Sequence, residues 1–166
     1  MDTPLELIVS VYNDPNTAGD VLSQLKKLAD DNALEIRNAA VVVKDENGHV
    51  HLKDDEDVGA GAGALFGAVT GGLIGLLGGP AGAIVGAVAG AATGGAAAAI
   101  IDMGFSNDQL KELQASMPAG SSALIVLVEH KWIESLVTTL EKNRGKLFRH
   151  ELNPSTISQY ESDLSK

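Results

Sequence analysis

Glycine recurs at every fourth position through a long segment of this chain that carries no charge. Residues 58–101 are 44 consecutive positions without Asp, Glu, Lys, Arg or His, and they hold 14 of the 19 glycines and 14 alanines. Positions four apart lie on one face of an α-helix, so this spacing predicts two helices, each with a groove that lacks side chains. The groove residues are Gly59, Gly63, Gly67, Gly71, Gly75 and Gly79 before Pro80, and Gly82, Gly86, Gly90 and Gly94 after it.

Large aliphatic side chains are predicted on the opposite side of each helix. They are Leu65, Val69, Leu73 and Leu77 in the first helix and Ile84 and Val88 in the second. Glycine costs about 1 kcal/mol relative to alanine in a helix interior, so these helices need compensation from their surroundings. A lipid bilayer enforces helical hydrogen bonding and favours close packing through small residues. An oligomer that buries the hairpins of several subunits against each other is the alternative.

The length of the segment suits a bilayer. Residues 58–79 and 81–101 would form helices of about 33 and 31 Å at 1.5 Å per residue, and a hydrocarbon core is about 30 Å thick. We therefore expect a transmembrane helical hairpin with the glycine faces inward and the aliphatic ridges toward lipid or a partner. Two alternatives remain open: an oligomeric pore that only Thr70 and Thr93 could line with polar side chains, and a soluble homo-oligomer that binds a small ligand on its sheet.

The rest of the chain is typical of an α+β domain. Residues 1–57 predict the order β-α-β-β and residues 102–153 the order α-β-α-β, with a short polar tail over 154–166 for which a helix is one option. Two split β-α-β units predict a ferredoxin-like sandwich, an antiparallel sheet with helices on one face, into which the hairpin 58–101 is inserted. The predicted strands are 5–12, 36–44, 49–53, 122–130 and 146–152, and the predicted helices are about 15–31, 106–117 and 132–143.

Composition excludes several kinds of function. A net charge of −10 argues against a nucleic-acid partner, because phosphate binding needs clustered Lys and Arg. The chain has no cysteine, which removes thiolate metal sites and thiol catalysis. No motif of an enzyme or of a cofactor site is present, so we expect neither. Four histidines lie on predicted strands or at strand ends: His49, His51, His130 and His150. Together they are conceivable ligands of Zn²⁺ or Cu²⁺. Surface histidines are the simpler interpretation, so we expect no metal.

Several segments in a fixed order resemble a known family. They are AAVVVKDENGHVHLK, the glycine zipper, DMGFSNDQLKEL and PAGSSALIVLVE, and the similarity to the bacterial domain-of-unknown-function family number 1269 runs from about residue 4 to 152. The resemblance implies a ferredoxin-like domain with a glycine-zipper insertion, a membrane label and a loose association with stress responses, and it brings no catalytic residues. We expect a non-enzymatic homo-oligomer in the bacterial inner membrane. Because no basic, apolar signal peptide opens the chain, we expect its soluble domain to lie in the cytoplasm. A cytoplasmic location is the alternative.

Overall fold

The computed structural model describes residues 3–53, 64–77 and 105–165, which form five strands and five α-helices. A short 3₁₀ turn, His130–Trp132, joins β4 to α4. In chain order the elements are β1 Leu5–Tyr12, α1 Thr17–Asp30, β2 Ile36–Lys44, β3 Val50–Leu52, α2 Ala64–Leu77, α3 Asn107–Ala115, β4 Ser121–Glu129, α4 Ile133–Lys142, β5 Lys146–Glu151 and α5 Pro154–Leu164.

The strands form one antiparallel sheet in the order β3-β2-β4-β1-β5. The units β1-α1-β2 and β4-α4-β5 supply its four main strands, and β3 extends the β2 edge as a hairpin. Without β3, the order is that of a ferredoxin-like sandwich, so the α+β fold predicted from the sequence is confirmed.

Helices cover both faces of the sheet, whereas the sequence analysis placed them on one. α1 and α4 pack on the first face, around Leu22, Leu25, Leu136 and Leu140. α2, α3 and α5 pack on the second face. Every residue of β1 and β4 is buried as a result, which is the pattern of strands covered on both sides. The one-face prediction is wrong because α3 and α5 pack on the second face beside α2, the charge-free helix that the sequence assigned to lipid or to another subunit.

Local sequence signals set several helix ends. Ser106 accepts a hydrogen bond from the Gln109 amide at 3.1 Å, and the Gln109 side chain accepts one from the Ser106 amide at 3.1 Å. This reciprocal pair is a capping box, and Ser106 is the N-cap of α3. At α1, Asp14 accepts hydrogen bonds from the Asn16 and Thr17 amides at 2.8 Å each, so the helix begins two residues later than Pro15 suggested.

The segment predicted as a polar tail forms α5, which belongs to the core. Asn153 caps it by accepting a hydrogen bond from the Thr156 amide at 2.8 Å, and proline occupies its first turn. Ile157 and Tyr160 are buried on the second face of the sheet. These two apolar side chains are three residues apart, so they lie on one face of the helix.

Candidate functional site: the glycine face of α2

Helix α2 turns its regularly spaced glycines away from the sheet. Gly67 is exposed, and Gly71 and Gly75 are half-exposed. These three residues are the glycine face. A methyl group built on any of the three would have no neighbour within 4 Å among the described residues. The packing of the described chain therefore gives no steric reason for glycine at these positions.

The opposite side of α2 is part of the domain core. Phe66, Val69, Leu73, Ile74 and Leu77 are each at most 5 % exposed, and these five residues are the sheet side of α2. They belong to one cluster with residues of β1, β2, β4 and of the helices α3 and α5. The apolar surface that the sequence assigned to lipid or to a partner is thus covered by the same chain at Val69, Leu73 and Leu77.

Thr70 is a polar residue on α2, and it is also buried. Its hydroxyl donates to the carbonyls of Phe66 and Gly67 within the helix, at 3.0 and 3.1 Å. A threonine that satisfies its own hydrogen-bonding capacity in this way is common in helices surrounded by apolar groups. Thr70 is therefore buried in this fold, with its hydroxyl group satisfied inside its own helix.

Two side chains from neighbouring elements cap the C-terminal end of α2. The Lys44 Nζ of β2 donates to the Leu77 carbonyl at 3.1 Å. The Gln114 Nε2 of α3 donates to the Leu76 carbonyl at 3.1 Å. The last carbonyls of a helix lack partners within the helix, and a cation there also complements the helix dipole. The caps fix α2 to β2 and α3.

Several predicted site residues lie outside the described part of the chain. They are Thr93, the ridge residues Ile84 and Val88, and the groove residues Gly59, Gly63, Gly79, Gly82, Gly86, Gly90 and Gly94. The backbone of Leu65 is in α2. Among the described residues, no helix combines the length and apolar character needed to cross a membrane.

The four histidines are not brought together. His51 lies on β3 and His150 on β5, which are opposite edges of the sheet, and four strand spacings separate them by about 19 Å. His49 lies 3.6 Å from Asp45 and His130 lies 3.8 Å from Glu6, while the His150 ring packs on Phe105 with centroids 4.5 Å apart. Within the described ranges, no group of three or more His, Asp or Glu side chains could hold a metal ion.

Two buried carboxylates near one end of the sheet were not anticipated. Glu6 accepts a hydrogen bond from Arg149 Nε at 2.6 Å, and Glu129 pairs with Arg37 and with Lys131, the latter at 3.2 Å. Burial by itself raises the pKa of Glu129, but the hydrogen bonds from Lys131 and Arg37 outweigh it and lower the pKa below its usual value. The sequence signal that could have indicated these buried carboxylates is a charged residue in an apolar strand segment, Glu6 in LELIVSVY and Glu129 in LIVLVEH. These pairs are structural, because both carboxylates are occupied by cations of the same chain.

A shallow open pocket of about 480 Å³ lies beside the end of α1, lined by Ala29, Asn32, Leu34, Glu35, Ile36 and Trp132. Trp132 is partly buried against the first face of the core. Its indole Nε1 is buried and has no hydrogen-bond partner among the described residues. The pocket gathers no set of groups typical of catalysis.

The architecture is that of an α+β protein with a ferredoxin-like sheet, and in this chain the helix α2 packs on the second face of that sheet. The chain belongs to the family described as "Protein of unknown function (DUF1269)", whose model matches residues 64–165. The match begins at the first residue of α2 and includes α3, β4, α4, β5 and α5. No curated protein and no solved structure matches the chain.

Proposed function

We propose that this protein is a non-enzymatic, self-associating protein whose assembly surface is the glycine face of α2, packed against the same face of a second copy. One observation carries the proposal: Gly67, Gly71 and Gly75 point outward in register, and nothing in the described chain requires glycine there. Three such residues cost about 3 kcal/mol of helix stability relative to alanine. A second helix that packs with its backbone in contact with theirs would explain the glycines. Glycines spaced by four permit that approach, and a methyl group at each position would hold the two backbones apart.

The burial of the sheet side of α2 supports assembly between folded copies. Its five apolar side chains each stabilise the fold by about 1.5–3 kcal/mol through burial. Moving α2 into another environment would also uncover the second face of the sheet where α2 contacts β2 and β3, around Val42 and Val50. Assembly through the outward glycines keeps both of these contributions. The sheet side and the glycine face therefore have separate roles.

The experiment compares the full-length chain with the variant G67A/G71A/G75A. The described chain has room for the three methyl groups, so the free energy of unfolding, measured where the protein is monomeric, should rise by about 1–3 kcal/mol. The mass measured by sedimentation should fall from that of a multimer to that of a monomer. Thr138→Ala, on the exposed side of α4, is the matched control. It should stabilise the helix and leave the mass of the assembly unchanged. A multimer that persists in the triple variant, or a wild type that is monomeric at all concentrations, would show that the proposal is wrong.

Membrane association is a second candidate, favoured by the 44 charge-free residues 58–101. It places the protein at the bacterial inner membrane with the sheet domain in the cytoplasm. Carbonate extraction and flotation of the full chain test it without detergent. Protein that remains with lipid after carbonate supports a membrane element, whereas protein released as a multimer supports assembly without one. A rise in liposome conductance would be needed to support a pore.

A further inference from the structure

The last helix of the chain packs directly against α2. α5 contacts α2 along the second face of the sheet, and Ile157 and Tyr160 lie in the same apolar cluster as Leu73 and Leu77 of α2. Ile157 and Tyr160 are 4 % and 2 % exposed. Removing these two side chains would therefore open one flank of α2.

A polar contact fastens α5 to the sheet. The Tyr160 hydroxyl donates a hydrogen bond to Asn38 Oδ1 on β2, and both groups are buried. Asn38 lies at the irregularity in the pairing of β2 with β4, where its side chain faces α5 rather than α1. Two residues before α5 begins, the backbone amide of Leu152 donates a hydrogen bond to the Leu5 carbonyl at 2.9 Å. α5 is thus anchored to the sheet independently of α2.

The helix that α5 flanks has an unusual composition for a core element. α2 has no charged residue, and the sequence on both sides of it is also uncharged from residue 58 to residue 101. Apart from Thr70, whose hydroxyl is satisfied within the helix, its side chains are apolar or absent. Such a helix has the chemistry to exchange contacts with the sheet for contacts with lipid hydrocarbon.

We propose that α5 is a latch that keeps α2 on the sheet, and that opening this latch makes the sheet side of α2 available to a lipid bilayer. The latch consists of Ile157, Tyr160 and the Tyr160–Asn38 hydrogen bond. The caps from Lys44 and Gln114 hold the C-terminal end of α2, while α5 supports its flank. This inference goes beyond self-association through the glycine face, which leaves α2 docked, and it gives the same helix a second, conditional partner.

The test uses the full chain with I157A/Y160A, with Tyr160→Phe as a milder variant that keeps the ring and removes the hydroxyl. Ser162→Ala, on the exposed side of α5, is the matched control. Hydrogen exchange of the α2 amides is compared with that of β1 and β4, because local opening accelerates exchange only in the element that opens. Flotation with phosphatidylcholine vesicles measures lipid binding in the same samples.

We expect exchange in α2 to accelerate at least about tenfold in I157A/Y160A and severalfold in Tyr160→Phe, with β1 and β4 unchanged. The vesicle-bound fraction should rise in the same order, and Ser162→Ala should match the wild type. Equal acceleration in α2, β1 and β4 would indicate general destabilisation and overturn the latch. Unchanged exchange in α2, or faster exchange without vesicle binding, would overturn it as well. Sedimentation of the wild type reports on self-association separately, so failure of one proposal is distinguishable from failure of the other.

Discussion

The ammonium group of Lys44, at the end of β2, lies 3.1 Å from the carbonyl oxygen of Leu77, the last residue of α2. The two residues are 33 positions apart in the chain. Lys44 is half-buried, so its contact with a helix end is less screened than one on an open surface. This contact joins the charged, ferredoxin-like part of the protein to its charge-free segment.

Replacing Lys44 with methionine should destabilise the docked α2. The expected loss in the free energy of unfolding is about 0.3–1 kcal/mol, the usual contribution of a cation at a helix C-terminus. Because salt screens this interaction, the difference between variant and wild type should shrink as the ionic strength rises. Urea unfolding at low and high salt measures it, with Lys111→Met on the exposed surface of α3 as the control. A difference that is independent of salt would argue that lost packing, not charge, is responsible.

Leu73→Ala tests whether the sheet side of α2 belongs to the core. Leu73 is 1 % exposed, and truncation of a buried leucine costs about 2–5 kcal/mol. Leu76 is only partly buried against the same cluster, so Leu76→Ala should cost clearly less. Thermal or urea unfolding of the two variants without lipid gives the comparison. Equal, small effects would mean that α2 does not contribute to the stability of the folded chain.

Gly145 is expected to behave in the opposite way to the glycine face. A methyl group at Gly145 would lie 2.1 Å from Ser10 Oγ and 3.0 Å from Tyr12 Cε1, and Ser10 is held in place by a 2.8 Å hydrogen bond to Tyr12. Gly145→Ala should therefore destabilise the protein by about 1–3 kcal/mol, the range for overpacked cores. The double variant G145A/S10A should recover part of this loss, since it removes the closest atom. Strict additivity in a double-mutant cycle would contradict the steric explanation.

Acid should remove the stability that Glu129 provides. Because its pKa is lowered in the fold, the ion pairs stabilise the protein fully above the ordinary glutamate pKa of about 4.3. This contribution is lost as the pH falls through the lower pKa of the folded state. Glu129→Gln should be less stable than wild type at pH 7. The difference between their free energies of unfolding should become smaller below about pH 4. Unfolding curves between pH 7 and pH 3 measure this, with exposed Glu134→Gln as the control.

Local signals in the sequence were sufficient for most of the fold. The apolar runs of β1, β2 and β4, the capping box at Ser106 and the amphipathic patterns of α1 and α4 each depend on neighbours within a few residues. The order of these elements then restricts the topology to two split β-α-β units. The docking of α5 escaped prediction because Ile157 and Tyr160, its buried apolar side chains among the described residues, lie in a segment that is otherwise mostly polar.

The sequence by itself determined that α2 has two unlike sides, glycine on one and large aliphatic residues on the other. Only the tertiary structure decided what the aliphatic side contacts, because burial is non-directional and any apolar surface satisfies it equally well. A pattern of leucine and valine therefore predicts an apolar contact, but it does not tell whether that contact is with lipid, with a second subunit or with the chain's own sheet. The fold supplies the second face of the sheet, so the aliphatic side is satisfied within the chain at Val69, Leu73 and Leu77. Gly67, Gly71 and Gly75, which have no side chain to bury, are left facing outward.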